Sequence, residues 1–217
     1  MSSIEIRALH VQGSAAGLRG VSLSVGPGER VAVVGPHQPR LSLLIRACAG
    51  FERVASGTVE VCGVDVGAAD RRALLQLRRQ LGYVSIAGGL LANMTLRDNL
   101  ELAVRYRGTP HAVATKRVQS AIDAVGLQHM ADHRTCFVPA EWVKCFAYVR
   151  ALLLEPAVLL AEDPSAFLHP DGRRVVAALH DEAEARGIAV LIADDDVEFV
   201  TPLVHRVVEL DALEAAS

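Results

Sequence analysis

The chain has 217 residues, of which 51% are hydrophobic and 22% charged. This length is enough for one domain with a sizeable core, and the composition excludes a disordered or collagen-like chain. The 22 basic and 25 acidic residues give a net charge of −3 and form no basic block, so nucleic acid is not expected as a partner.

The first part of the chain is predicted to form strands. Residues 4–9 and 21–25 alternate between apolar and polar, as half-buried strands do. Residues 31–34 are continuously apolar, which is typical of a strand that is covered on both faces. Gly35-Pro36 ends that strand, and residues 41–49 have helical spacing. Strand, loop and helix together predict the first half of a βαβ unit.

Apolar patterns later in the chain predict more strands and helices in alternation. The strands are expected at residues 82–84, 158–161 and 189–192, and the helices before the last two at residues 140–154 and 171–186. Such alternation predicts a mainly parallel sheet with helices on its faces.

A helical insertion is predicted in the middle of the chain. Residues 96–106 and 112–125 have helical spacing, and no strong strand pattern separates them. We therefore predict a single α/β domain over residues 1–217, with a helical subdomain inserted at about residues 87–145.

Cysteine usage and apolar run lengths bear on the compartment. The four cysteines lack the spacing of a metal site, so they predict no bound metal and a reducing environment. The first residues, MSSIEIRALHVQG, contain no apolar stretch of a secretory signal, and no run approaches the ~18 residues of a membrane span. We expect a cytoplasmic protein that reaches a membrane only through a partner.

Six segments occur in the order and at the spacing of one protein family. They are GVSLSVGPGERVAVVGP, SGTVEVCGVDV, LGYV, NMTLRDNL, RALLLEPAVLLAEDPSAFLHP and VLIADDD. Together they resemble the nucleotide-binding domain of ATP-binding-cassette (ABC) transporters over nearly the whole chain. The resemblance implies the P-loop NTPase core of that family, with N-terminal antiparallel strands and an inserted helical subdomain. An unrelated parallel α/β domain is the alternative, but it leaves the collinear segments unexplained.

The phosphate-binding loop departs from the family pattern. That pattern is G-x-x-x-x-G-K-[ST], in which backbone N–H groups cradle the phosphates and the lysine reaches the β- and γ-phosphates. Here the stretch reads GPHQPRLS, in which Gly35 and Ser42 are retained. Arg40 stands at the second glycine and Leu41 at the lysine. The resemblance therefore implies a site that lacks its main cation.

Two further sites differ from the family pattern. They are the pair of carboxylates at the end of one buried strand and the position of a histidine that follows the next strand. In the family, an Asp orders Mg²⁺ and the following Glu positions the attacking water. Here Glu162 and Asp163 stand in the reverse order, so each carboxylate is displaced by about one methylene. Asp195 replaces the histidine that contacts the γ-phosphate, and its charge would repel ATP. The alternative is that residues 194–196 are a helix N-cap cluster.

Further positions that contact nucleotide in the family are changed. The glutamine that senses metal and permease aligns with Ile86, and the aromatic residue that stacks on adenine aligns with Gln12. His169 replaces an Asp in the loop after the acidic strand end. The signature L-S-G-G-Q, whose helix start holds the phosphate of a partner subunit, aligns with Val138, Pro139, Ala140, Glu141 and Trp142.

An intact scaffold with altered nucleotide contacts predicts a pseudo-ATPase with no bound cofactor. By resemblance, its partner is a membrane permease whose coupling helix docks beside the helical insertion, and its place is the inner face of the cell membrane. A second cassette subunit, in a homodimer or heterodimer, or a separate active ATPase would complete the complex. The expected docking groove is lined by Ala87, Leu90, Leu91 and Met94. Ordinary subdomain core is the alternative for these four side chains.

Two other functions stay open. The chain could be an atypical weak ATPase, in which Arg40 replaces the lysine, Ser42 and Glu162 bind Mg²⁺, and Asp163 is the base; Mg-ATP would then be its cofactor. It could instead be a soluble interaction module detached from transport.

Residues 90–108 look most like cassettes of bacterial envelope and lipid or lipoprotein trafficking. Neither lysine lies in the phosphate loop, and Lys144 is expected on a solvated helix face.

Overall fold

The structure, a computed structural model, describes residues 2–12, 17–36 and 38–215. Its N-terminal part forms a four-stranded antiparallel sheet in the order β2-β1-β4-β5. The strands of this sheet are Ile4–Val11 (β1), Leu18–Val25 (β2), Val54–Val61 (β4) and Val64–Asp65 (β5). The predicted N-terminal antiparallel strands are thereby confirmed.

The second sheet has five parallel strands in the order β6-β7-β8-β3-β9. Its strands are Arg30–Val34 (β3), Leu81–Val84 (β6), Val158–Glu162 (β7), Ala189–Asp194 (β8) and Arg206–Glu209 (β9). Because all five run in the same direction, their carboxyl ends meet at one edge of the sheet. In open parallel sheets this edge is where ligands bind.

Nine α-helices are found in the described part of the chain. They are Gln38–Cys48 (α1), Arg71–Arg78 (α2), Leu96–Tyr106 (α3), His111–Ala124 (α4), Gln128–Ala131 (α5), Ala140–Leu153 (α6), Pro170–Ala185 (α7), Val197–Val200 (α8) and Leu210–Ala215 (α9). Short 3₁₀ turns occupy Thr135–Phe137 and Thr201–Leu203. None of the helices in these ranges is both long and apolar enough to cross a bilayer.

Both faces of the parallel sheet are covered. On one face, α1 packs between the parallel sheet and the antiparallel sheet, and its buried side chains include Leu41, Leu44 and Ile45. On the other face, α6 and α7 pack against the sheet together with α3 and α4 of the insertion. Coverage on both sides explains why β3, β7 and β8 are buried along their whole length.

A bulge interrupts the pairing of β1 with β4, the two inner strands of the antiparallel sheet. The register between β1 and β4 shifts between Arg7 and His10, and Ala8 has a positive φ of 44° there. Gly57 lies opposite, also with positive φ, and a Cβ at this position would lie 2.2 Å from the Ala8 carbonyl oxygen. Only glycine allows this close approach of the two strands.

The predicted upper limit of the insertion, at about residue 145, lies within helix α6. Residues before Leu96 form turns, and α6 continues past residue 145 to Leu153. Phe146 and Tyr148 of α6 are fully buried, and the helix packs against β6 as well as against α3. α6 therefore belongs to the core and the insertion at once, because its apolar surface extends around most of the helix.

Candidate functional site

The candidate site lies at the carboxyl edge of the parallel sheet. The turn after β3 leads there into α1, and the ends of β7 and β8 bring Glu162, Asp163, Asp194 and Asp195 to the same edge. Parallel pairing of β3, β7 and β8 thus joins segments that are more than a hundred residues apart in sequence. The phosphate-loop remnant and the acidic strand ends that the sequence singled out do lie together.

The turn after β3 is short, because α1 already begins at Gln38. Pro39 lies in the first turn of α1, where its missing N–H breaks no helical hydrogen bond. His37 lies outside the described residues. Residues 38–40, which the family pattern assigns to a phosphate-cradling loop, are helical here.

Leu41 points into the protein interior. Its side chain is fully buried in the cluster between α1 and the two sheets. At the position of the family's phosphate-binding lysine, this chain therefore has an apolar core residue.

Arg40 is bound to the C-terminal helix α9. Its Nη1 lies 2.8 Å from Asp211 Oδ1, its Nη2 lies 2.6 Å from Glu214 Oε2, and its Nε donates to the Gly17 carbonyl. These two ion pairs are the main reason that the pKa of Arg40 is raised above its ordinary value. All three guanidinium nitrogens of Arg40 are thus already paired with acceptors of the protein.

Three further residues that align with nucleotide contacts of the family are Ser42, Gly35 and Gln12. Ser42 donates from its hydroxyl to Gln38 Oε1 at 3.3 Å, one helical turn earlier. Gly35 directly follows β3 and lies close to the first residue of α9, where a Cβ on Gly35 would lie 3.6 Å from Leu210 Cβ. Gln12 is exposed at the end of β1.

Glu162 is held by two residues that follow or belong to β6. The Tyr83 hydroxyl donates to Glu162 Oε1, and the backbone N–H of Ile86 also donates to this carboxyl group. Burial raises the pKa of Glu162, and the hydrogen bond from Tyr83 opposes that rise. The carboxylate at the family's metal-binding position is therefore largely enclosed, with 5% of the residue exposed.

The carboxylates of Asp163, Asp194 and Asp195 form a cluster in which one oxygen of each lies within 4.8 Å of the others. Asp194 is fully buried and accepts three hydrogen bonds, from the Ser165 N–H, the Ser165 hydroxyl and the Asp196 N–H, each at 2.8 Å. Burial raises the pKa of Asp194 to about 6, against the effect of these hydrogen bonds. Burial also raises the pKa of Asp163, and the charge of Asp195 adds to that rise.

The three consecutive aspartates at the end of β8 have different roles. Asp196 is the N-cap of α8: its side chain accepts from the Phe199 N–H, and it forms an ion pair with Arg173 at 2.6 Å. Asp195 is the exposed member of the carboxylate cluster. The N-cap interpretation of residues 194–196 thus applies to Asp196, whereas Asp194 is a buried acceptor.

Lys144 lies in the protein interior, so the predicted position on a solvated helix face is wrong. It was expected on a solvated helix face, but it is 1% exposed. Its Nζ donates to the Asp163 carbonyl at 2.8 Å and lies 3.3 and 3.4 Å from the carbonyls of Ser85 and Glu162. Burial lowers the pKa of Lys144 to about 8, and the nearby carboxylates, Asp163 first, oppose the shift. The expectation failed because α6 is buried nearly all round.

The segment aligned with the family signature leads into α6 and makes structural contacts here. Glu141, which aligns with the signature, is buried, and its Oε1 accepts from the N–H groups of His169 and Gly172, both at 2.9 Å. These two N–H groups belong to the N-terminus of α7, so Glu141 caps that helix. Trp142 and Val138 pack against the core, and Pro139 and Ala140 line a shallow pocket with Phe167.

Only part of the predicted docking groove forms one surface. A groove of about 720 Å³ lies between α2 and α3, and we call it the α2–α3 groove. Leu91 lines it, whereas Leu90 packs against the core. Ala87 is exposed and Met94 is half-buried, and neither lines the groove. The full lining is Leu75, Gln76, Arg78, Arg79, Gly89, Leu91, Asn99, Leu102, Ala103, Tyr106, Arg107, Arg150 and Leu154.

Known proteins resemble this chain in both sequence and fold. The family model described as ABC transporter matches residues 18–166. A methionine import ATP-binding protein MetN from Brucella abortus is 31% identical over 200 residues, which are 92% of this chain and 54% of the relative. MetN 2 from Burkholderia mallei is 32% identical over 190 residues, 87% of this chain and 48% of the relative. The chain thus spans about half the length of these curated relatives.

Solved structures share the fold at lower sequence identity. The ABC transporter component cbiO1 from Clostridium perfringens has a TM-score of 0.81 and 23% identity, over 96% of this chain and 84% of that one. The bacterial ABC transporter cassette MJ0796 has a TM-score of 0.85 and 19% identity, over 95% and 93% of the two chains. These matches confirm the predicted α/β fold class, with an antiparallel sheet beside a parallel sheet flanked by helices. By its match to the family model over residues 18–166 and by its relatives, the chain belongs to the ABC transporter family.

Proposed function

We propose that this chain is a catalytically degenerate ATP-binding-cassette subunit, which acts as a structural or regulatory partner in a membrane transport complex. The observation that carries the proposal is the placement of Leu41 and Arg40. Leu41 is buried in the core, and Arg40 forms ion pairs with Asp211 and Glu214. Neither residue offers a free cation to the phosphates of ATP.

The acidic residues support the same proposal. The carboxyl group of Glu162 accepts from Tyr83 and Ile86, and Asp194 already accepts three hydrogen bonds. A magnesium ion needs nearly ideal octahedral coordination by free oxygen atoms. Glu162 and Asp194 are therefore poor ligands for the magnesium ion of Mg-ATP, and we propose that the subunit works without a cofactor.

The relatives bear on the transport system. Those reported above are named for methionine import, and they give no support to a lipid or lipoprotein export subgroup. We therefore propose an import complex as the setting, with an integral membrane permease as partner on the inner face of the membrane. A second cassette subunit or a separate active ATPase would supply the energy. The α2–α3 groove beside the insertion is the proposed docking site for the permease.

Calorimetric titration of the purified chain with Mg-ATP tests the proposal. We expect no saturable heat and no thermal stabilisation up to millimolar nucleotide. A ligand at ten times its dissociation constant would stabilise the fold by about 1.4 kcal/mol, so even weak binding is measurable. A saturable heat that the Arg40→Ala variant abolishes would instead favour the atypical ATPase that uses Arg40.

The transport setting needs a separate test. We expect a membrane permease to co-purify with the chain from its native host, and ATP turnover of that complex to depend on another ATPase subunit. Turnover that survives inactivation of every other cassette subunit would overturn the degenerate assignment. Co-purification with soluble proteins alone would favour the detached interaction module.

A further inference from the structure

The exposed apolar surface of this protein is concentrated at the α2–α3 groove. Nine large apolar side chains are exposed in the described ranges, and four of them line this groove. They are Leu75, Leu91, Leu102 and Tyr106, with exposures of 50%, 49%, 46% and 82%. An exposed apolar patch of this kind marks an interaction site.

The charged residues of the groove all have the same sign. Four arginines line it, and no carboxylate does. Two of them are held by the protein: Arg78 donates to the Gly50 carbonyl at 2.8 Å, and Arg150 donates to the Gly89 carbonyl at 2.6 Å. These two guanidinium groups form part of the wall.

The other two arginines, Arg79 and Arg107, form no ion pair within the described part of the chain. Arg79 is exposed and Arg107 is half-buried. The pKa of Arg107 is lowered, first by burial and then by the positive charge of Arg79. The charge of Glu155, which pairs with Arg117 at 2.7 Å, opposes this shift. The groove thus holds two like charges close together beside an apolar floor.

We propose that the α2–α3 groove selects an amphipathic helix that presents carboxylates beside its apolar face, and that Arg79 and Arg107 bind those carboxylates. This inference rests on the proposed function, since the permease segment is the occupant proposed there. It adds the chemistry that the segment must carry. A helix presents apolar side chains at every third or fourth position and can flank them with acidic residues.

A helix fits these observations better than an anionic membrane surface does. The four apolar side chains line a concave groove between two helices, and a flat lipid surface cannot fill it. Charged lipids would also be attracted equally by the exposed arginines outside the groove, such as Arg72 and Arg105, which lie on α2 and α3. Selection by Arg79 and Arg107 in particular is therefore the mark of a helical partner.

Synthetic peptides provide the test. Two labelled helical peptides of about 16 residues share the same apolar face, and one carries glutamates where the other carries glutamines. Fluorescence anisotropy with the full chain measures their affinities at low and high salt. We expect the acidic peptide to bind about tenfold more tightly at low salt, and this preference to shrink as salt screens the ion pairs.

Two charge-reversal variants separate the groove from overall charge. In Arg79→Glu/Arg107→Glu the preference for the acidic peptide should disappear or reverse. In the matched control Arg72→Glu/Arg105→Glu, with the same change of net charge outside the groove, it should persist. Circular dichroism checks folding, and Arg79→Glu alone, at an exposed residue, keeps the test valid if the double variant does not fold.

Three outcomes would overturn the inference. They are equal binding of both peptides, an equal loss of preference in both double variants, and binding of phosphatidylglycerol vesicles that needs Arg79 and Arg107 while neither peptide binds. If Leu102→Asp abolishes binding of both peptides although they bind equally, the groove is still a docking site and only its acidic selectivity is wrong. If neither peptide binds and a permease still co-purifies, the proposed groove is wrong but the transport setting stands.

Discussion

At the scale of single residues, Leu41 shows why one substitution cannot be read alone. A leucine in place of the lysine could face the ligand site and simply remove one charge from a loop that still binds phosphate. The structure instead buries Leu41 fully in the cluster between α1 and the sheets. Residue 41 belongs to the core in this chain, so we expect that a lysine at this position would not restore phosphate binding.

The Leu41→Lys variant tests this. It would bury an unpaired ammonium group, and we expect the free energy of unfolding to fall by about 3 kcal/mol or more without any gain of ATP binding. Leu41→Met, which keeps volume and polarity, is the control and should cost less than about 1.5 kcal/mol. Urea denaturation and calorimetry measure both properties. Tight ATP binding by the lysine variant would show that the loop is still able to cradle phosphates.

Lys144 predicts a pH dependence of stability. Its folded pKa of about 8 lies below the ordinary value of 10.5, so the unfolded chain binds more protons between these pH values. The free energy of unfolding should therefore rise as pH increases from about 8 to 10.5, by about 3 kcal/mol from this group. Lys144→Met should lack the rise, and the difference between the two denaturation curves isolates it. Parallel curves would mean that Lys144 titrates normally.

At the scale of elements, the capping of α7 depends on Glu141. Its single oxygen Oε1 accepts from two N–H groups at the start of the helix. We expect Glu141→Ala to lower the free energy of unfolding by about 1–3 kcal/mol, because both buried N–H groups lose their acceptor. Glu141→Gln keeps an acceptor oxygen and should cost less. Thermal and urea denaturation compare them, and equal losses would mean that charge, not the hydrogen bonds, is what matters.

The attachment of α9 to α1 depends on two unequal ion pairs of Arg40. Glu214 has a side-chain exposure of 20% and also accepts from the Arg19 N–H, whereas Asp211 is 66% exposed. Exposed ion pairs contribute little to stability. We therefore expect Glu214→Gln to cost about 1 kcal/mol and Asp211→Asn less than about 0.5 kcal/mol. Hydrogen exchange of the α9 amides should be accelerated more by Glu214→Gln than by Asp211→Asn. The reverse order would contradict the unequal contributions of the two ion pairs.

The elements differ in how well the sequence predicts them. Helix α3 was predicted with its observed limits, because residues 96–106 are strongly periodic and Thr95 caps them through the Asp98 N–H. Strand β4 was not predicted from its pattern, since only Val59 and Val61 of its eight residues are buried. Pairing with β1 stabilises it, and that is a contact distant in sequence.

At the scale of the whole molecule, we expect that ATP does not drive dimerisation of this subunit. By resemblance, cassettes close on ATP with a phosphate loop from one subunit and a signature from the other, and both are altered here. Arg40 is bound to α9 and Glu141 to α7, so neither surface is free to hold a phosphate. Sedimentation of the chain should therefore be unchanged by millimolar Mg-ATP. A dimer that appears only with Mg-ATP would contradict the degenerate assignment.

The sequence was sufficient to identify the family, the order of most elements and the positions at which the family's nucleotide contacts are altered. Those features are local, because periodicity, turns and motif spacing can be read along the chain. Tertiary structure alone decided where the altered side chains went: Leu41 into the core, Arg40 to α9, Lys144 under the acidic strand ends and Glu141 to the start of α7. Burial and hydrogen-bond partners depend on segments far apart in sequence, which meet only when the sheet and its helices pack.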